Sequence, residues 1–288
     1  MTGAVRVETL RETEVFQELR STILSRVAGL PESRVREMSD VQIATSIPDR
    51  ISDLRENQAL MLRIEGLILK LFDEIEHEDY GSLQFPTNIR TIGSGASVRQ
   101  SFNSEGYATD LLHCDAWSGA PSDSWNHLLY LLYVPEAPYL EVFETLTPNS
   151  SLREYLGDYK SVQIDVSELT KISATPESGV LIIWPTYSPH RTVVPFQKSL
   201  QRAWRVSIDF RTRIASPYDA DRNCLPDSFS ATKMNSAGVY WTFPMREFRD
   251  MESKISAELM AATRHGADAL ANRQNYIHQH YRTGAYEK

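Results

Sequence analysis

The feature that most limits the fold of this chain is a series of short β-rich runs between residues 89 and 214. Clusters of Gly, Pro, Asn, Asp and Ser separate the runs, and no helical stretch long enough for a crossover lies among them. Short strands at this spacing predict an antiparallel sandwich or barrel. We expect a mainly β double-stranded β-helix, the jelly-roll arrangement of two packed sheets. The predicted strands are Ala96–Asn103, Ala108–His113, His127–Val134, Tyr139–Glu144, Ser161–Val166, Gly179–Trp184, Arg191–Pro195 and Trp204–Arg213.

Helical segments flank this β region. Apolar residues recur at helical spacing over Thr9–Ala28 and Ile51–Glu76, which predicts amphipathic helices packed on a larger body. Another helical run is predicted over Met245–Tyr276. We expect a single domain over residues 1–288, in which 1–88 is a helical N-terminal support, 89–214 the jelly-roll core and 215–288 a C-terminal lid or helical extension.

Composition excludes several classes of protein. The chain has 288 residues, of which 41% are hydrophobic, and a net charge of -8, so a non-specific nucleic-acid binder is disfavoured. No apolar run approaches the ~20 residues that cross a bilayer, and the first residues lack the layout of a signal peptide. Two cysteines, Cys114 and Cys224, are too few for a disulfide framework, so we expect a cytoplasmic protein.

Two histidines and an aspartate are the candidate metal ligands. His113 and Asp115 stand two residues apart after a β-like run, and His190 follows a later buried strand. Two imidazoles and one carboxylate form the facial triad that holds Fe(II) and leaves its other positions open. A His-x-acid pair is a weak signal alone, because His77-Glu78-Asp79 is another example. That pair lies in an acidic helical run, where a solvent-facing helix residue is the better interpretation.

An arginine on the last predicted strand is a candidate anion-binding group. Arg205, Ser207, Asp209 and Arg211 alternate with apolar residues, so they share one face of the strand. A buried guanidinium needs an anionic partner. A ligand carboxylate suits its planar fork, and the hydroxyl of Ser207 could donate a second hydrogen bond to it.

These residues resemble a known family, the iron(II)- and 2-oxoglutarate-dependent oxygenases of the double-stranded β-helix fold. Three elements match in order, namely His113-x-Asp115, the block from Gly179 to His190 and Arg205-x-Ser207. The resemblance covers roughly residues 89–213. Within the family it is nearest to the phytanoyl-CoA-hydroxylase-like enzymes and the bacterial tailoring hydroxylases, including the streptomycin-cluster type.

The resemblance implies the cofactors and the roles of the site residues. Fe(II) would be the metal, and 2-oxoglutarate and O2 the co-substrates. The implied iron ligands are His113, Asp115 and His190.

The far carboxylate of 2-oxoglutarate is implied to pair with Arg205 and Ser207, and Tyr130 best matches a tyrosine that reaches it in many members. Arg205 lies somewhat farther beyond His190 than is usual in the family, and Arg202 lies nearer. The strand register favours Arg205, and Arg202 stays open.

The retained Asp115 bears on the type of reaction. Halogenases of this family have Gly or Ala in its place, so the resemblance implies hydroxylation, or desaturation or cyclisation, of a small molecule in natural-product or secondary metabolism. We expect no nucleic-acid and no membrane partner. The aromatic residues 239–243 and the run after them are candidates for a homodimer contact.

Two other functions stay open. A cupin-like isomerase or lyase would use the same barrel with another divalent metal, although it would not need Arg205-x-Ser207. A non-catalytic jelly-roll binding module would have His113 and His190 as core residues. Several further residues are interpreted as structural, or as supporting groups at most: Cys114, Trp117, Trp125, Trp184, Trp241, His127, Asn103, Asn126, His278 and His280.

Overall fold

Two antiparallel sheets and a layer of helices make up the computed structural model, which describes residues 5–48, 54, 57–75, 82–85, 87–94, 109–118, 124–145, 152, 164–196, 203–213 and 241–244. The helices in this part of the chain are α1 (Glu14–Ala28), α2 (Glu32–Glu37), α3 (Asp40–Ser46) and α4 (Gln58–Glu74). The strands are β1 (Arg6–Thr9), β2 (Ser82–Phe85), β3 (Asn88–Gly93), β4 (Ser124–Tyr133), β5 (Tyr139–Thr145), β6 (Leu169–Lys171), β7 (Val180–Pro185), β8 (His190–Val193), β9 (Trp204–Arg213) and β10 (Trp241–Pro244). None of the described helices is both long and apolar enough to cross a membrane.

The strand order is that of a jelly roll. The large sheet runs β1–β7–β4–β9–β2–β10, and β3 also pairs with β9. The small sheet runs β6–β5–β8, and an isolated bridge joins His113 to His190 at the start of β8. The chain therefore passes back and forth between the sheets, with β3, β4, β7 and β9 in the large one and β5, β6 and β8 in the small one. The predicted mainly β, double-stranded β-helix fold is confirmed.

The central strands lie where the sequence predicts them, and the edges differ. β4, β5, β7, β8 and β9 each overlap a predicted strand within a few residues. β1, β2, β3 and β6 were not predicted, because they are short and carry no long periodic pattern of their own. β1 and β2 also mean that residues 1–88 are not purely helical. The segment 239–243 contributes to β10, which pairs with β2, while Ala96–Asn103 and Met245–Tyr276 lie outside the described residues.

Two predicted strands are wrong where they can be seen. Thr109 and Asp110 form a turn. Within residues 109–113, the backbone bonds to β8 at two separate points: the carbonyl of Thr109 accepts from the amide of Thr192, and His113 pairs with His190. Near the end of the predicted strand Ser161–Val166, Asp165 instead caps a 3-10 turn by accepting a hydrogen bond from the amide of Ser167.

The helices α1 and α4 begin directly after a capping residue and not at the first residue of the apolar pattern. Thr9 ends β1, and α1 begins after Thr13, whose side chain accepts a hydrogen bond from the amide of Phe16. Asn57 caps α4 in the same way through the amide of Leu60. The predicted helices therefore started several residues too early, since side-chain capping fixes the first turn.

Both faces of the large sheet are buried. One face packs against the four helices, through residues that include Leu129, Leu181, Ile183, Val206, Ile208 and Phe210. The other faces the small sheet, with Leu128, Tyr130, Ile182 and Trp184 against Leu140 and Val142. Because side chains alternate along a strand, the inner face of β9 carries Arg205, Ser207, Asp209 and Arg211.

A short polar network ties the helices to this sheet. Asp40, in the first turn of α3, forms an ion pair of 2.6 Å with Arg20 and accepts a hydrogen bond of 2.6 Å from the hydroxyl of Ser178. The same hydroxyl accepts a hydrogen bond of 2.8 Å from the amide of Tyr133. The network therefore fixes the turn before β7 and the end of β4.

Gly179 occupies a position in that turn that other residues fit poorly. Its φ is +92°, and a Cβ at this position would lie 2.8 Å from the Cα of Arg11. Its amide donates to the carbonyl of Tyr130, and its carbonyl accepts from the amide of Leu10, both at 2.8 Å. The turn thus needs a residue without a side chain.

We expect Gly179→Ala to lower the free energy of unfolding by about 2–4 kcal/mol, because a left-handed backbone and a steric clash add together. Gly29→Ala is the matched control: its φ is +66°, but nothing lies within 4 Å of the added Cβ, so a loss of about 1 kcal/mol is expected. Urea unfolding measures both. Equal losses would contradict the close approach at Arg11.

Candidate metal centre

Three side chains that are distant in sequence meet between the two sheets. The amides and carbonyls of His113 and His190 exchange hydrogen bonds of 3.0 and 2.8 Å, and their ring centroids are 4.3 Å apart. Asp115 begins a 3-10 helix, Asp115–Ser118, which is held to the chain before β8 by a hydrogen bond of 3.1 Å from the amide of Ala116 to the carbonyl of Thr186. One ligand atom from each of His113, Asp115 and His190 lies within 4.8 Å of the others, and all three residues are buried.

Backbone carbonyls set the orientation of both imidazoles. The Nδ1 atom of His113 lies 2.7 Å from the carbonyl oxygen of Leu111, and that of His190 lies 3.0 Å from the carbonyl oxygen of Ser188. Each Nδ1 therefore carries the proton and donates it, which leaves the lone pair on Nε2. The two Nε2 atoms lie 4.0 and 3.7 Å from Oδ1 of Asp115.

Trp184 also approaches His190, and the two contacts at Nδ1 conflict. The indole Nε1 lies 3.3 Å from Nδ1, but Nδ1 cannot accept that proton while it donates to Ser188. We assign the donor role, because the bond to the carbonyl is shorter. Trp184 then packs edge-on against the imidazole, with ring centroids 5.2 Å apart.

Burial and neighbouring charges set the protonation of the three groups. The pKa of His113 is lowered to about 3, chiefly by burial. The neighbouring His190 lowers this pKa by more than Asp115 raises it. Burial also lowers the pKa of His190. For Asp115, burial alone would raise the pKa, but Arg211 and the two histidines hold it well below its usual range. Two neutral imidazoles and one carboxylate thus face each other, and this donor set suits a divalent transition metal such as iron.

Arg211 and Asn126 complete the surroundings of the aspartate. Nη2 of Arg211 lies 3.0 Å from Oδ2 of Asp115, while its Nε donates a hydrogen bond of 2.9 Å to Oδ1 of Asn126. Sequence reasoning missed this contact of Arg211. The only signal was its place on the same face of β9 as Arg205.

Arg205 lies on the inner face of β9 and is 1% exposed. In the part of the chain that the structure describes, its Nε and Nη1 atoms have no hydrogen-bond partner. Its guanidinium carbon lies 6.0 Å from the centroid of the Tyr130 ring. Burial lowers its pKa. Asp209, on the same face, forms an ion pair with Arg90. Within the described part of the chain, Arg205 therefore has a buried charge and no carboxylate partner.

Tyr130 and Ser207 lie beside this arginine and oppose each other across β4 and β9. Both are fully buried. The Tyr130 hydroxyl accepts a hydrogen bond of 2.9 Å from the amide of Leu140, which leaves its own proton to donate. Burial raises the pKa of Tyr130, so it keeps that proton. The Oγ atom of Ser207 lies 3.5 Å from Oδ1 of Asp209, a contact at the limit of hydrogen bonding.

The Tyr130 hydroxyl is also near the histidines. Leu140, to which it bonds, opposes Thr192 on β8, and Val142 opposes His190. Residues two apart on a strand are separated by ~6.6 Å. The Tyr130 hydroxyl therefore bonds to β5 two residues along the strand from the position that opposes His190.

The remaining candidates have structural surroundings. Cys114 donates a hydrogen bond to the carbonyl of Tyr187 and packs with Trp117 in a separate cluster. His127 stacks on Phe210, on the helix-facing side of the large sheet and away from the three ligands. Trp125 also belongs to the helix-facing core. The candidates that lie outside the described residues are Arg202, His77, Asn103, His278 and His280.

Comparisons with known proteins find no matching family model and no matching curated protein. Solved structures do show a likeness. The non-haem alpha-ketoglutarate-dependent epimerase SnoN from nogalamycin biosynthesis is 11% identical, with 74% of this chain and 81% of that chain covered and a TM-score of 0.36. The non-haem monooxygenase ThoJ is 11% identical over 74% and 77%, with a TM-score of 0.39.

An N-substituted L-amino acid dioxygenase from Burkholderia ambifaria AMMD, in complex with alpha-ketoglutarate, is 11% identical over 72% of this chain and 81% of its own, with a TM-score of 0.36. Two of the three descriptions name alpha-ketoglutarate, and the third names a non-haem monooxygenase. At these identities and TM-scores they carry no conclusion about the chemistry of this chain.

Proposed function

We propose that this protein is a non-haem iron(II)- and 2-oxoglutarate-dependent dioxygenase that acts on a small molecule. The convergence of the ligand atoms of His113, Asp115 and His190 in a buried space carries the proposal. When bound there, iron supplies a centre at which a 2-oxo acid chelates and oxygen is activated. The three residues are the protein's ligands to it.

Arg205 distinguishes this function from that of a cupin-like isomerase or lyase. A buried guanidinium without an anion is costly, and the far carboxylate of 2-oxoglutarate is the anion that we assign to it. Tyr130 and Ser207 each have a hydroxyl beside Arg205 that can donate to the same carboxylate. A cupin-like isomerase or lyase does not need this anchor for a dicarboxylate co-substrate, so the arrangement favours the oxygenase.

The chain's own residues orient and shield the reacting groups. Leu111 and Ser188 fix the two imidazoles through their carbonyls, and Trp184 covers His190 on one side. These contacts keep the ligand atoms aimed at one point and exclude water from the rings. The presence of Asp115 as a third ligand supports hydroxylation, or desaturation or cyclisation. The resemblance of the motifs to tailoring hydroxylases supports a substrate from natural-product metabolism.

The test is succinate release in the presence of Fe(II), 2-oxoglutarate and O2, screened with amino acids, amino sugars and lipids as substrates. We expect slow release without substrate and faster release with the correct one. Omission of any one of the three components should stop it. Metal binding without any release of succinate would favour the cupin-like alternative, and the absence of metal binding would favour a binding module.

A further inference from the structure

The two oxygens of Asp115 have different surroundings. Oδ1 faces the Nε2 atoms of both histidines, at 4.0 and 3.7 Å. Oδ2 lies 3.0 Å from Nη2 of Arg211. A carboxylate that is free on both oxygens can bind a metal through one oxygen or through two. Here one oxygen is already held by a guanidinium.

Arg211 is itself held in place by its neighbour on β4. Asn126 opposes Arg211 in the strand register, and its Oδ1 accepts the hydrogen bond from Nε of the guanidinium. The guanidinium therefore bonds to Asn126 through Nε and to Asp115 through Nη2. A guanidinium fixed at two points has little freedom to release the carboxylate.

An asparagine at position 126 destabilises the fold, and its contact with Arg211 explains why an asparagine is present there. The residue is 4% exposed, and its Nδ2 has no hydrogen-bond partner among the described residues. A buried amide nitrogen without an acceptor destabilises a fold. An apolar residue of similar size would avoid this cost, so packing alone does not account for an asparagine at this position.

We propose that Arg211, braced by Asn126, is a positioning residue that reserves Oδ2 of Asp115 and so limits this aspartate to one ligating oxygen. A second coordination position is thereby kept open for 2-oxoglutarate. This inference rests on the proposed function. It concerns the chain's own side chains and assigns Arg211 no direct part in the reaction.

Arg211→Met tests the brace through two affinities that should change in opposite directions. Without the guanidinium, Oδ2 is free to bind the metal and a nearby positive charge is lost. The Kd of Mn(II) measured without 2-oxoglutarate should therefore stay the same or decrease. The Kd of 2-oxoglutarate on the metal-loaded protein should rise by about 10–100-fold, the usual size of such effects. A merely structural role would weaken both.

Asn126→Leu separates position from charge, since it removes the brace and leaves Arg211 in place. As for Arg211→Met, the Kd of Mn(II) should stay the same or decrease and the Kd of 2-oxoglutarate should rise. The rise should be smaller, about 3–10-fold. A direct readout is the number of water molecules on bound Mn(II), counted by electron paramagnetic resonance in 17O-enriched water. Arg211→Met should hold one fewer than the unmodified protein. Arg63→Met, at an exposed arginine on α4, is the control.

Three results would overturn the inference: an unchanged water count in Arg211→Met, parallel loss of metal and 2-oxoglutarate binding, or unchanged 2-oxoglutarate binding in Asn126→Leu. Failure of the proposed function gives a different result. In that case the unmodified protein itself would not bind Mn(II), or would bind it without responding to 2-oxoglutarate.

Discussion

His190→Ala is expected to abolish iron-dependent succinate release and to weaken Fe(II) binding by more than about 100-fold. Loss of a residue that only orients a ligand costs about 10–100-fold in metal affinity or activity; Arg211 differs because it competes with the metal for Oδ2 of Asp115. A direct ligand contributes more than an orienting residue. The fold should persist, because the pairing of His190 with His113 and Val142 uses backbone atoms. Anaerobic Fe(II) titration and succinate assays measure the two effects.

His127→Gln is the matched control for that prediction. His127 is also a buried histidine of the barrel, but it packs against Phe72 and Phe210 on the helix-facing side of the large sheet. Its replacement should lower the unfolding midpoint and leave the Kd of Fe(II) unchanged. If His190→Ala binds iron as tightly as the unmodified protein, His190 is not a ligand.

Arg205→Met is expected to raise the Kd of 2-oxoglutarate by at least about 100-fold, since charged hydrogen bonds contribute about 1.5–3 kcal/mol each and Tyr130 and Ser207 cannot replace the charge. The same change should stabilise the protein without ligand, because it removes a buried guanidinium that has no carboxylate partner among the described residues. Replacement of a buried ion pair by apolar residues is often neutral or stabilising by about 1–4 kcal/mol, and we expect a gain within that range when this guanidinium is removed. Fe(II) binding without 2-oxoglutarate should not change.

Isothermal titration with 2-oxoglutarate and urea unfolding of the ligand-free protein check both parts. Arg63→Met applies the same chemical change to an exposed ion pair on α4 and should alter neither quantity by much. Unchanged 2-oxoglutarate binding in Arg205→Met would contradict the assignment, and Arg202 would then be the next candidate.

The central strands could be predicted because burial leaves a pattern in sequence. β7 is apolar throughout, and β9 alternates between the helix-facing core and the inner face. β1 and β6, with four and three residues, are too short for such a pattern and pair only because a longer strand offers an edge. The turn at Thr109 was missed because the segment has β-like residues but does not form a strand. Its described residues bond to β8 at separate points.

The candidate site divides in a similar way. His113, Asp115, His190 and Arg205 stand out because their residue types are unusual next to buried strands. The ion pair of Arg211 with Asp115 leaves no local signal, because it depends on where a loop crosses the end of β9. The alternating face of β9 indicated that Arg211 points inward, but only the fold identifies its partner.

Anaerobic addition of Fe(II) and 2-oxoglutarate to the unmodified protein tests the central claim most directly. Chelation of a 2-oxo acid to Fe(II) at a site with open positions gives a weak visible charge-transfer band. We expect the band only when both are present, saturation at one iron per chain, and loss of the band in His190→Ala. A protein that binds Fe(II) but shows no band, or keeps the band without His190, would contradict the account.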